Sequence, residues 1–201
     1  MSKSQLARAA LVLVLTGAAV GARADVAPSR HDAQLLKQKV ATINGFSAQP
    51  AKQARRTTVT ENELNAYLAY DAGQDLPIGV VSPSLTILGT GRVSGRAVVD
   101  LDAVRRQSPP TSLLDPRNLL MGRLPITATG VLTTSKGVGR FDLESATVGG
   151  IPVPKVVLQE IVSHYSKTPS NPAGIGLDDP FALPAGIREI QVERGQAIVV
   201  Q

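Results

Sequence analysis

Three pairs of segments with alternating apolar and polar residues predict β-hairpins. In the first pair, residues 84–88 and 92–102 flank the turn 89–91, and Val93, Gly95, Ala97, Val99 and Leu101 share one face of the second segment. Two later pairs repeat the pattern: RLPITATGVLTT and GVGRFDLESATV around SKG, and IREIQV and QAIVV around ERG. A period of two with turn residues between the segments is typical of antiparallel strands that bury one face.

Apolar residues three or four positions apart predict helices between these segments. The first stripe consists of Leu36, Val40 and Ile43, the spacing of one helix face. The polar and basic stretch that follows, residues 44–58, predicts a flexible connector.

A second helix has recognisable start and stop signals in TENELNAYLAYDAG. Thr60 is suited to accept a hydrogen bond from a backbone N–H of the first turn, and Glu63 three residues later completes a capping box. Gly73 is the predicted end. Further helices are predicted over 111–121 and 154–165, the second with a wide apolar stripe.

Hairpins that alternate with helices predict an α+β fold, in which a curved antiparallel sheet of three hairpins packs on amphipathic helices. Residues 59–201 are predicted to form a single α+β domain, and residues 25–58 supply the N-terminal helix and the connector. A loop rich in proline and glycine, residues 168–186, precedes the last hairpin.

Residues 1–24 have the features of a cleavable signal peptide. A short basic start precedes the apolar run 9–22, and ARA ends at the predicted cleavage position between Ala24 and Asp25. The run is shorter than the roughly 20 apolar residues that span a bilayer. We therefore expect a periplasmic or secreted protein with no transmembrane segment in its mature form.

Composition limits the function further. The chain contains no cysteine, which excludes a disulfide scaffold and thiol chemistry. Loss of Lys3, Arg8 and Arg23 with the leader lowers the basic residues from 21 to 18, against 16 acidic ones. With three Phe, three Tyr and no Trp, the chain has few aromatic platforms for sugars or single strands. These features argue against nucleic acid as a partner.

The glycine-rich stretch ILGTGRVSGRAVVDLD has the spacing G-x-G-x-x-x-G and is followed by a strand pattern. A dinucleotide site needs its glycines between a strand and a helix, with different spacing. We expect Gly89 and Gly91 to turn the hairpin. Gly95 predicts a bulge or a close approach of another backbone.

Candidate catalytic and metal-ligating groups are few. Asp100 and Asp102 fall on one face of the predicted strand, but Arg92 and Arg96 share that face, as on a solvated surface. Comparable surface roles are predicted for the remaining candidates: Asp142 with Glu144, the two acids of LDDP at 177–180, His31 and His164. The chain also lacks a G-x-S-x-G elbow and a His cluster. The sequence therefore predicts a protein that is not an enzyme and that needs no cofactor or metal.

Two binding functions remain open. If sheet and helices stand apart, a groove between the sheet and the helices 61–70 and 154–165 is expected to bind a phospholipid or another apolar small molecule. Its predicted lining is Leu64, Tyr67, Leu68, Val157, Ile161 and Tyr165. If they close fully, the same residues form a filled core, and the protein is an envelope module that binds another protein through a sheet edge. The short apolar C-terminal segment QAIVV offers such an edge.

Three segments together resemble the LmeA-like bacterial envelope proteins, single-unit relatives of the tubular lipid-binding (TULIP) group. They are VTENELNAYL at 59–68, the hairpins that run through GRLPITATGVL into LESATVGGIPVPKVVLQEIV, and the closing LPAGIREIQVERGQAIVV. The resemblance spans about residues 57–201 and lies in the order of segments and a helix-start motif. It implies a TULIP-like half-barrel around a helix, with an apolar groove for phospholipid acyl chains and no catalytic residue.

Overall fold

The computed structural model describes residues 27–46, 54–107, 121–165 and 171–201, apart from the side chains of Gln107, Ile161, His164 and Tyr165. The predicted signal peptide, with its cleavage position at Ala24 and Asp25, lies outside the described residues. So does the predicted helix 111–121, except for Met121. Among the described helices, none is both long enough and apolar enough to cross a membrane.

The described part contains four α-helices and nine strands. The helices are α1 (Arg30–Phe46), α2 (Glu61–Tyr70), α3 (Leu101–Gln107) and α4 (Lys155–Tyr165), with a 3-10 turn at Ala72–Gln74. The strands are β1 (Arg56–Thr60), β2 (Val80–Gly89), β3 (Arg92–Asp100), β4 (Arg123–Ser135), β5 (Val138–Val148), β6 (Ile151–Pro152), β7 (Phe181–Ala182), β8 (Glu189–Glu193) and β9 (Gln196–Val200).

These strands form two antiparallel sheets. The six-stranded sheet has the order β2-β3-β4-β5-β6, and β7 pairs with the other end of β5. The three-stranded sheet has the order β1-β9-β8. The predicted α+β class with antiparallel pairing is therefore confirmed, and the sheet does not close into a barrel.

The glycine-rich stretch turns a hairpin, as predicted. Gly89, Thr90 and Gly91 join β2 to β3 with φ angles of 94°, 55° and 77°, a region that glycine adopts without steric cost. No helix begins at Gly91, so this stretch lacks the helix N-terminus of a dinucleotide site. The bulge predicted at Gly95 is not observed, because the register continues through this residue on both sides. The register shifts of this hairpin lie in β2 instead.

Part of the predicted connector is a strand. Residues 56–60 pair along their whole length with β9, from Arg56 opposite Val200 to Thr60 opposite Gln196. The pairing continues beyond the strand, because the backbone N–H of Gln201 donates to the carbonyl of Arg55 at 2.9 Å. The connector prediction was therefore wrong for residues 56–58, and also for residues 44–46, which form the end of α1.

The same pairing overturns the predicted free edge at the C-terminal strand. β9 lies between β1 and β8 and is hydrogen-bonded on both sides. The segment QAIVV is apolar because it is the centre of a sheet, and it offers no edge to a partner protein.

The strand predicted to run to Asp102 ends at Asp100, where α3 begins. The Asp100 carboxylate accepts a hydrogen bond from the backbone N–H of Ala103 at 2.9 Å, as an N-cap does. The prediction that Asp100 and Asp102 share a strand face was therefore wrong, because the carboxylate of Asp100 starts a helix.

Helix α2 covers the outer edge of β2. Its predicted capping box is confirmed, with the Thr60 hydroxyl accepting from the backbone N–H of Glu63 at 3.2 Å. The Asn65 amide donates to the carbonyl of Leu85 at 2.8 Å and accepts from its N–H at 2.7 Å. The carboxylate of Glu61 accepts from the N–H of Ile87 at 2.6 Å. Side chains of α2 thus satisfy backbone groups that an uncovered edge strand would present to other chains.

The apolar interior has two connected parts. Leu36 and Ile43 of α1 pack against the three-stranded sheet through Val59 and Val199, which confirms the predicted first helix and its stripe. The larger cluster lies between the six-stranded sheet and α2. Leu64 and Tyr67 contact both clusters, so α2 joins the two sheets into one body.

Candidate functional site

One face of the six-stranded sheet, which we call the inner face, carries the larger cluster. On β3 this face contains Val93, Gly95, Ala97 and Val99, because alternate residues of a strand point the same way. One end of it is sealed by α2 and by β8. The large apolar inner-face residues at that end are buried together with Ala128: Leu85, Ile87, Val93, Leu132, Phe141 and Leu143. We call this end the sealed half.

The other end of the inner face is less covered. Val99 lies six residues beyond Val93 on β3, about 20 Å along the strand at roughly 3.3 Å per residue. Directly opposed residues of antiparallel strands share a face, and the register therefore defines the inner-face residues at this end. Five of them, Val80, Val99, Leu124, Ile126 and Val148, are only partly buried, while Ala97 opposite Ile126 is buried and Ile151 opposite Val148 is exposed. We call these five residues the open half.

Helix α3 borders the open half, and helix α4 packs against the sealed cluster. Val104 of α3 lies so close to Gly79 that a Cβ on this glycine would be 2.6 Å from Cγ2 of Val104. Leu158 of α4 packs against the sealed cluster. The Gln159 side chain at the next position holds the loop after α4, by accepting from the N–H of Leu177 at 2.6 Å.

The predicted groove lining is not brought together as expected. Leu68 is buried in the sealed half, and Leu64 and Tyr67 are partly buried between the two clusters. Burial raises the pKa of Tyr67, and the charges of Asp75 and Asp71 raise it further. These three side chains of α2 therefore contribute to the packing that seals one end of the sheet.

The lining predicted on the last helix is also different. Val157 was expected to face the sheet but is 47% exposed, because α4 turns Leu158 toward the cluster instead. The side chains of Ile161 and Tyr165 lie outside the described residues, and so does that of His164. The sequence did not identify the residues of the open half as a site.

The acidic residues that were considered as catalytic or metal-binding candidates form ion pairs or hydrogen bonds with neighbouring groups. Glu144 contacts Arg92 at 2.7 Å, and Asp178 contacts Lys155 at 2.6 Å. The hydrogen bond to Asp178 is also the main reason why the pKa of Lys155 is raised. The Asp179 carboxylate of LDDP accepts from the N–H of Gly176 at 2.6 Å. Among the described residues, no three His, Asp or Glu side chains form a group that could hold a metal ion.

The cap at Asp100 predicts a pH dependence. Its pKa lies below the ordinary value of 3.8, mainly because the Ala103 N–H donates to the carboxylate and also because Arg123 and Arg106 are near. A depressed pKa in the folded state stabilises the protein above the unfolded-state pKa, and this contribution is lost as the pH falls through the folded-state value. We expect Asp100→Asn, which keeps an acceptor oxygen, to remove this loss of stability on acidification. Urea unfolding between about pH 2.5 and 6 measures it, and an unchanged pH profile in the variant would contradict the assignment.

Comparison with known proteins finds no family model and no curated sequence that matches the chain. The structure thus defines a class by its architecture alone: an α+β protein whose large antiparallel sheet has one sealed end and one partly exposed aliphatic end. The resemblance to the LmeA-like proteins stays a prediction.

Proposed function

We propose that this protein is exported and binds a phospholipid or another apolar ligand, without catalysis, by contact with the open half of the six-stranded sheet. The observation that carries the proposal is the contrast between the two ends of one sheet face. The large apolar inner-face residues of the sealed half are buried, while all five residues of the open half are partly exposed.

Partial exposure of five aliphatic side chains on one face is unfavourable for a protein alone. Full burial of a Val, Leu or Ile side chain stabilises by about 1.5–3 kcal/mol relative to exposure. A ligand that covers these residues would supply the burial that the described residues provide only at the other end. The binding energy would come from apolar contact area and would not require new polar contacts.

The chemistry of the open half indicates the class of ligand. Its residues are three Val, one Leu and one Ile, so it offers no aromatic ring to stack on a sugar or a base. Binding pockets for small molecules are mostly apolar with a few polar groups that fix orientation. Helix α3, which borders the open half through Val104, carries Arg105 and Arg106, whereas Arg123 precedes Leu124 on β4 and points to the opposite face. An acyl chain with an anionic head group fits this arrangement of aliphatic and basic side chains.

The predicted signal peptide and the predicted resemblance to LmeA-like proteins support an envelope location, and the resemblance points to lipid as the ligand. The alternative of a protein-binding module loses its particular premise, because β9 is a central strand. The main competing hypothesis is then a protein with a filled interior that binds no ligand. Direct measurement of ligand binding distinguishes it from the proposal.

A pair of neighbouring residues provides the test of ligand binding. Val98 and Val99 are both partly buried, but they point to opposite faces of β3. We expect Val99→Gln to weaken uptake of a fluorescent fatty acid roughly tenfold, because an amide without a partner would be buried against the ligand. Val98→Gln is the matched control and should bind as the wild type does, since its side chain faces away from the inner face.

Native mass spectrometry of protein purified from its own envelope gives the second measurement. A co-purifying lipid mass in the wild type, reduced in Val99→Gln, supports the proposal. A bare polypeptide mass together with no fatty-acid uptake by any variant would contradict it and favour the filled interior. Equal losses in Val98→Gln and Val99→Gln would show that the inner face of β3 is not the binding surface.

A further inference from the structure

Three exposed apolar side chains lie at the same end of the six-stranded sheet as the open half. Ile78 precedes β2, Met121 precedes β4 and Ile151 follows β5, and they are 52%, 65% and 71% exposed. Backbone hydrogen bonds link neighbouring strands at this end, Asp100 to Gly79 at 2.6 Å, Leu101 to Gly122 at 2.9 Å and Gly149 to Pro125 at 2.8 Å, and the three residues are distributed along it from β2 to β6. We call Ile78, Met121 and Ile151 the apolar tip.

Basic side chains lie at the part of this end that carries Ile78 and Met121. Arg105 and Arg106 end α3, and Arg123 begins β4. Two carboxylates lie among them: Asp102 contacts Arg105 at 2.9 Å, and Asp100 contacts Arg123 at 3.6 Å. Because three arginines accompany two aspartates, this group of side chains carries a net positive charge.

Exposed apolar and charged residues also lie elsewhere on the described surface, among them Val156 of α4, which is 78% exposed. Asp75 lies three residues before Ile78, and its charge raises the pKa of Tyr67 of α2. Lys155 of α4 is paired with Asp142 and Asp178. Other large exposed apolar residues, such as Val138 at the opposite end of β5, stand outside the tip.

We propose that the apolar tip docks on an anionic lipid membrane, with its three side chains inserted at the interface and the arginines against lipid phosphates. Apolar side chains that project from separate connections beside basic ones suit a lipid interface, where apolar burial and attraction to anionic lipids add together. The inference rests on the proposed function, because docking at this end places the open half next to the bilayer that would supply an acyl chain.

Co-sedimentation with vesicles tests the docking. The protein is mixed with vesicles of phosphatidylcholine and phosphatidylglycerol at about 3:1, and separately with vesicles of phosphatidylcholine alone. We expect binding to the anionic vesicles, and a loss of at least about tenfold in the variant Ile78→Ser/Met121→Ser/Ile151→Ser, since it removes the apolar contacts. The variant Arg106→Ser/Arg123→Ser should lose roughly fivefold per arginine on anionic vesicles only. The control Val138→Ser/Ile175→Ser changes exposed apolar residues outside the tip and should bind like the wild type.

Uptake of a fluorescent fatty acid from dilute solution separates docking from ligand binding. Because Ile151 lies opposite Val148 of the open half, the variant Ile78→Ser/Met121→Ser is used here, and its unchanged uptake, combined with lost vesicle binding, supports docking as a distinct step. Vesicle binding by the tip variant at the wild-type level, or an equal loss in the control, would overturn the inference. A dimer in sedimentation velocity that the tip variant abolishes would also overturn the inference, because a second copy of the chain would then cover the tip. If the wild-type protein takes up no fatty acid but still binds vesicles, only the proposed function is contradicted.

Discussion

Gly130→Ala is expected to destabilise the protein by about 3 kcal/mol, the upper part of the range for inserting a group into a filled core. A Cβ at this position would lie 2.2 Å from Cζ of Phe141 and 2.5 Å from the carbonyl oxygen of Asp142. Neither neighbour can move away easily. The Phe141 ring is buried in the main cluster, and the Asp142 carbonyl belongs to the β5 backbone beside the register shift between Thr129 and Gly130.

Urea unfolding followed by circular dichroism measures this effect. Gly45→Ala is the matched control, because Gly45 lies in α1 and an alanine Cβ at this position would have no neighbour within 4 Å. In a helix, alanine is favoured over glycine by about 0.8–1 kcal/mol, so the same substitution should stabilise the protein or leave it unchanged. A wild-type midpoint for Gly130→Ala would show that β4 and β5 do not pack as described.

Most local structure was predictable from the sequence because its causes are local. The alternation of apolar residues and the turn sequences around Gly91, Gly137 and Gly195 were sufficient for the three hairpins. Thr60 and Glu63 were sufficient for the start of α2, since a capping box uses residues within one helical turn. The α+β class follows from these elements alone.

Strand β1 could not be predicted in the same way. Its sequence RTTVT alternates little in hydrophobicity and follows a basic stretch. It is a strand because β9, far along the chain, supplies its hydrogen-bond partners. Nothing in the local pattern of β9 revealed a second neighbour either, so QAIVV was wrongly predicted to be an edge.

The end of β3 shows a different limit of prediction from the sequence. Asp100 continues the period of two, and a strand pattern that extends to Asp102 is consistent with the sequence. The preference of aspartate for N-caps competes with that pattern. The N–H of Ala103 and the nearby Arg123 decide the outcome in the folded chain.

The open half was not predicted from the sequence, because its alternating apolar residues have the same pattern as the strands of a filled core. Val99 was assigned to the apolar face of its strand, and the structure agrees. Periodicity tells which residues share a face, but coverage depends on what packs above them. Here α2 covers one end of the face, and its side chains Leu64 and Leu68, expected to line a groove, are the ones that close it.

Lys39→Met is expected to cost about 3 kcal/mol, because it leaves the buried carboxylate of Glu63 without its ion-pair partner. The Lys39 ammonium contacts both carboxylate oxygens, at 2.6 and 2.7 Å, and the Glu63 side chain is only 7% exposed. One of these oxygens also accepts from the N–H of Thr60 at 2.9 Å. The carboxylate therefore cannot turn to solvent without opening the start of α2.

A second lysine on α1, the helix that carries Lys39, provides the control. Lys37 pairs with Asp71, but its side chain is 55% exposed, and exposed ion pairs contribute about 0–1 kcal/mol. Lys37→Met should therefore change the free energy of unfolding by less than about 1 kcal/mol. The double variant Lys39→Met/Glu63→Gln removes the buried charge while Gln retains an acceptor for Thr60, so it should recover much of the stability lost in Lys39→Met. Equal losses for the two lysine variants in urea unfolding would mean that Glu63 reaches water, and that α1 does not lie over the start of α2 as the ion pair requires.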